Sequence, residues 1–150
     1  MSNLPYANAT SGRRALDDIQ RLLGAFGCGR FGHMTDASVG EVMVQFEYRG
    51  RQVSVKASTR GYAAAQLKRN PWTPRKARPK ADYERAALEQ AEIAVYSMLR
   101  DWLKGQLTAI ETGMLSFEGA FLAQILLPSG KTVLEHVEAS KALPPPKDVP

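Results

Sequence analysis

A single cysteine, Cys28, in 150 residues excludes an intrachain disulfide and favours a reducing compartment. Histidine is almost as scarce, with only His33 and His136, so no recognisable zinc-ligand spacing forms and no metal or other cofactor is expected. No apolar run approaches the roughly 18 residues that a membrane-spanning helix needs, and no membrane partner is expected. The opening MSNLPYANATSGRR lacks the basic start and apolar stretch of a secretion signal. The expected location is cytoplasmic. One further absence is local: from Arg49 to Lys80 there is no Asp or Glu.

What is present fits an ordinary globular chain, 44% apolar and 23% charged, with enough length for one core. The acid-free stretch holds ten of the twenty Lys and Arg: Arg49, Arg51, Lys56, Arg60, Lys68, Arg69, Arg75, Lys76, Arg78 and Lys80. From Ala81 to Gly119 the balance reverses, seven acids against three bases. Such asymmetry points to a polyanionic partner more than the net charge of +5 does.

The chain is organised around Ala81–Thr112. Leu88, Ala91, Val95, Met98 and Trp102, then Tyr96, Leu99, Leu103, Leu107, Ile110 and Met114, recur in steps of three and four, predicting one helix with a broad buried face. At ~1.5 Å per residue it reaches roughly 48 Å, with Gly105 as a bend and Gly113 as the stop. Trp102 and Met98 are expected in the core. Lys80/Glu84 and Arg85/Glu89 have the spacing of supporting ion pairs.

Upstream, Thr10 or Ser11 caps a helix carrying Leu16, Ile19, Leu22, Leu23 and Phe26, ended by Gly27. CGRFGHMTDASVG reads as a glycine-rich loop; without a preceding strand or a Gly-Lys-Ser/Thr ending it is no nucleotide cradle. Glu41–Ser58 predicts a β-hairpin turning at Arg49-Gly50, which pairs Tyr48–Arg51, Phe46–Val53, Val44–Val55 and Val42–Ala57. Both apolar sets then share one face, an agreement that a one-residue slip would destroy. Ser58 or Thr59 caps a short helix over 60–69. PWTPRKARPK follows as an extended basic linker. Ser116 caps a last short helix with Phe117, Ala120 and Phe121, Pro128-Ser129-Gly130 is a turn, and Thr132–Val137 is an extended segment. The expected organisation is a flexible arm at 1–9, a single α+β domain at 10–138, and a disordered Pro-rich tail at 139–150. In that domain the N-terminal helix and the antiparallel hairpin pack on the long helix, under a short C-terminal helical cap.

The strongest chemical candidate is a nucleic-acid-binding surface of Lys68, Arg69, Arg75, Lys76, Arg78 and Lys80 with Trp72 as a stacking aromatic. Arg49, Arg51 and Arg60 extend it if the hairpin tip and the helix start share a side. Catalytic constellations are thinner. Cys28, His33 and Asp36 cluster in sequence, and His136 follows Glu135, but a nucleophile pair needs adjacency in space. A metal-dependent nuclease would draw on Asp36, Glu41 and Glu47, yet Ser54-Val55-Lys56 has serine where a restriction-nuclease-like Glu-x-Lys pattern needs an acid. No catalytic residue is assigned.

The helix–hairpin–helix order with Ala63-Ala64-Ala65 is similar to a double-stranded RNA-binding domain, but lacks its third strand and its Lys-Lys-x-Ala-Lys helix start. Phe26-Gly27, Val44-x-Phe46-x-Tyr48-x-Gly50, Arg100-Asp101-Trp102-x-Lys104-x-Gln106 through Ile110-Glu111-x-Gly113, and Leu127-Pro128-x-Gly130-x-Thr132 resemble short uncharacterised proteins encoded on bacterial phages and plasmids, over most of residues 15–137. The resemblance implies a mobile-element setting and no activity. Two roles suit it: a small non-enzymatic nucleic-acid-associated binding protein, or an anti-defence inhibitor, such as an anti-CRISPR, that blocks a nucleic-acid-binding host protein. Surplus apolar surface on the long helix also allows a homodimer.

Overall fold

The computed structural model describes residues 3–147 and shows an α+β domain. The order is α1 (Gly12–Phe26), β1 (Arg30–Asp36), β2 (Glu41–Tyr48), β3 (Arg51–Ser58), α2 (Thr59–Arg69), α3 (Lys80–Glu111), α4 (Phe117–Phe121), a 3-10 turn (Leu122–Gln124) and α5 (Val133–Ser140). The three strands form one antiparallel sheet in the order β1-β2-β3. α3 packs against α1 and α2.

The hairpin has the register its alternation predicts, Tyr48↔Arg51 through Val42↔Ala57. Val42, Val44, Phe46, Val53 and Val55 are buried on one face. Arg49 (φ 50°) and Gly50 (φ 79°) are both left-handed, the requirement of a type I′ turn that matches strand twist. The core joins this face to Ala15, Ile19 and Leu23 of α1 and to Val95, Tyr96, Leu99, Leu103 and Leu107 of α3, closed by Ala120, Phe121 and Ile125. Each of the Val, Leu, Ile and Phe side chains among them stabilises the fold by ~1.5–3 kcal/mol.

Four expectations are corrected. The glycine-rich loop is in part a strand: Arg30–Asp36 pairs with β2 from Arg30↔Glu47 to Asp36↔Glu41. As an edge strand with a mostly exposed surface, it carries little of the alternation that betrays a buried strand. It also supplies the third strand missing from the duplex-RNA-domain pattern, although α2 still opens on Thr59-Arg60-Gly61. The segment after Gly130 is helical. Thr132 and Glu135 form a reciprocal capping box, and two satisfied orphan groups outweigh the β-branched Thr132-Val133 start. Trp102 is not a core residue: it is 37% exposed and lies edge-on to Phe121 at 5.7 Å. Finally, the arm is docked over its described part. Leu4 N donates to Gln66 Oε1, Tyr62 Oη to Pro5 O, Gln90 Nε2 to Ala9 O, and Tyr6 Oη to Asp101 Oδ2.

α3 runs unbroken through Gly105 and stops at Thr112, before Gly113 at φ 75°. Its first ion pair is Arg85–Asp82 rather than Arg85–Glu89. Residues 141–147 of the expected tail are exposed and outside any helix or strand, and 148–150 lie outside the described residues. No helix among the described residues is long and apolar enough to cross a membrane.

Candidate nucleic-acid interface

The basic stretch after α2 is a closed loop rather than an extended linker. α2 and α3 pack side by side, so the chain must reverse between Arg69 and Lys80. Three kinds of contact hold the reversal. Asn70 N caps α2 on Gln66 O, and Tyr83 Oη, from the first turns of α3, donates to Asn70 O at 2.7 Å. Lys76 N donates to Thr73 O at 2.9 Å in a tight turn. The Trp72 indole N–H donates to Arg78 O at 2.7 Å, bridging the loop. The prolines at 71, 74 and 79 restrict φ without forcing a straight path, because side chains bond the backbone groups that a polyproline helix leaves to water.

Trp72 is half-buried and outside the core. Around it, Lys68, Arg69, Arg75, Lys76, Arg78 and Lys80 are all exposed. Among the described residues none lies within 4.0 Å of a carboxylate, since the nearby Asp82 is taken by Arg85. Arg69 Nη1 makes a long bond to Asn3 O, 3.4 Å, and Lys76 Nζ sits 5.3 Å from the Tyr83 ring centroid, a cation–π distance. The other cations keep their hydration and their field.

The hairpin-tip arginines do not join this group. Tyr48, Arg49 and Arg51 line a depression with Ile110, Phe117 and Glu118, at the far end of a 32-residue helix that begins at Lys80, roughly 45 Å away along its axis. Arg51 is paired with Glu118, and Arg49 lies 5.1 Å from the Tyr48 ring centroid. Arg60 is tied to the β1–β2 turn instead, with Nη2 donating to Ser38 O at 3.2 Å. The sequence offers no signal for that separation, which depends on how the sheet lies along α3.

The residues considered for catalysis do not converge. Glu41 and Glu47 stand at opposite ends of β2, about 20 Å apart at strand rise, and Glu47 is 3.5 Å from Arg30. Asp36 is paired in register with Glu41, and hydrogen bonds from the Ser38 hydroxyl and backbone hold its carboxyl below the usual range. Lys56 reaches Glu135 at 3.9 Å. Burial pushes the Cys28 thiol up to about 11, which leaves almost no thiolate at neutral pH. No group of three His, Cys, Asp or Glu side chains gathers among the described residues.

The loop's closing residues Asn70 and Tyr83 carry no charge signature and escape a reading based on charge. A tyrosine one turn into a helix that follows a proline-rich segment is the only hint. No protein-family model, curated protein or solved structure matches the chain.

Proposed function

We propose that this chain is a small non-enzymatic protein that binds nucleic acid through the loop at 68–80. The observation that carries the reading is the set of six exposed cations lacking carboxylate partners among the described residues, on a loop pinned by Trp72 and Tyr83. Fixed cations release condensed counterions from a phosphate backbone without first paying loop-ordering entropy. Arginine adds bidentate phosphate contacts and lysine adds point charge. The experiment is equilibrium binding of the full chain to random DNA and RNA at two salt concentrations, beside an Arg75→Ala/Lys76→Ala/Arg78→Ala variant. Absence of binding at low salt refutes the reading.

A second reading draws on the C-terminal third of α3 and the segment after it, where Trp102 (37%), Met114 (73%) and Leu122 (54%) are exposed. Tryptophan is a frequent energetic anchor of protein interfaces, and methionine is enriched there. In a mobile-element setting this favours an inhibitor that docks a host nucleoprotein enzyme. Such a protein would bind its target with Trp102 and show no affinity for free nucleic acid.

A further inference from the structure

We infer that β1 is a pairing edge for a second copy of this chain, joining two sheets into one six-stranded antiparallel sheet about a twofold axis at His33. The two edges of the sheet are treated differently. Beside β3, Ile125 bridges Val53, and Leu126 N donates to Gln52 O at 2.8 Å. Beside β1 no described residue pairs: Arg30–Asp36 makes backbone bonds only to β2 and is largely exposed. Open edges are normally blunted by proline, by inward lysine or by a bulge. β1 contains neither residue and pairs with β2 without a break over seven residues.

What selects a second copy over any other strand is self-complementarity. Antiparallel pairing about His33 sets Arg30 opposite Asp36 of the other copy, twice, on the same face. It also sets Met34 opposite Gly32. Met34 is 54% exposed. Gly32 has nothing within 4 Å of where a Cβ would be, and it lines a groove of about 530 Å³ with Arg30, Gln45, Glu47 and Gln52. Glycine inside a strand is where another chain can approach closely. The Arg30 side chain, 79% exposed, reaches Glu47 at 3.5 Å through Nη1, and a guanidinium has further N–H donors for a second carboxylate. Asp36 accepts the Ser38 backbone N–H and hydroxyl through Oδ1. Because a twofold axis at His33 uses the β1 edge of both copies, pairing closes at two chains. The pairing is independent of what the 68–80 loop binds.

Sedimentation equilibrium of the full chain tests it. The wild type is expected to form a reversible dimer. Arg30→Asp and Asp36→Arg each place like charges opposite, and each should weaken self-association about tenfold or more. The two variants mixed in equal amounts should associate at wild-type strength, because only the mixed pair restores both contacts. Met34→Ala, at a side chain too exposed to endanger folding, should weaken the dimer about tenfold. Leu88→Glu, on the exposed part of α3, should leave it intact. A wild-type monomer up to about 1 mM, a dimer indifferent to Met34→Ala, or a mixture of folded charge variants that stays monomeric overturns the proposal.

Discussion

The indole nitrogen of Trp72 lies 2.7 Å from the carbonyl oxygen of Arg78, so the large aromatic of the basic loop is also its clasp. Trp72→Phe keeps a ring and removes the clasp, and should lower affinity for single-stranded DNA about threefold, the worth of one net hydrogen bond. Trp72→Ala removes the ring as well, and should lower affinity about tenfold or more. Fluorescence anisotropy of a labelled oligonucleotide distinguishes the two.

The charge count sets a second expectation. Six phosphate contacts give a slope of about −5 in a plot of log affinity against log salt on duplex DNA, and the variant lacking three should show about half that. Arg49→Ala/Arg51→Ala, at the far end of α3, should leave the slope unchanged. An equal loss in that variant would return the hairpin tip to the interface.

Two glycines should respond in opposite directions. Gly40 has φ 66°, a Cβ there would meet Arg60 Cβ at 2.7 Å, and its carbonyl accepts from Thr59 N and Arg60 N. Gly40→Ala should cost about 1–3 kcal/mol. Gly105 lies inside α3 with open space around it, and Gly105→Ala should add about 0.5–1 kcal/mol. Urea denaturation monitored by circular dichroism measures both.

Acid should loosen the docked N-terminal segment. Hydrogen bonds from Arg100 and from Tyr6 hold the Asp101 carboxyl below its usual 3.8. Its folded value is thus lower than its unfolded one. The contribution is fully present above 3.8 and fades as pH falls through the lowered value. The group is largely exposed, so solvent screening keeps the effect small. Asp101→Asn should flatten the acid limb of the stability curve below pH ~4, and amide exchange at Tyr6–Ala9 should become faster at neutral pH.

Most of the architecture was legible wherever a pattern reports burial directly. The hairpin register follows from two alternating apolar sets, the bounds of α1 and α2 from their caps, and α3 from three-four spacing ended by Gly113. β1 escaped because an edge strand exposes most of its side chains, and α5 because the β-branched Thr132-Val133 start reads as extended while the Thr132–Glu135 capping box that makes it helical is a feature of side-chain geometry. The candidate loop was legible as charge but not as shape. Its fold-back depends on Tyr83 and Trp72 reaching carbonyls whose nearness only the packing of α2 on α3 creates. The same limit explains Arg49 and Arg51, close in sequence to the other cations yet at the opposite end of the molecule.

That distance has a use. The long α3 gives the molecule two poles, and roughly 45 Å is several times the ~8 Å over which exposed charges sense one another in physiological salt. Substitutions at the Trp72 pole and at the Arg49/Arg51 pole should therefore be additive. One end can be re-engineered, tethered or blocked while the other keeps its native behaviour.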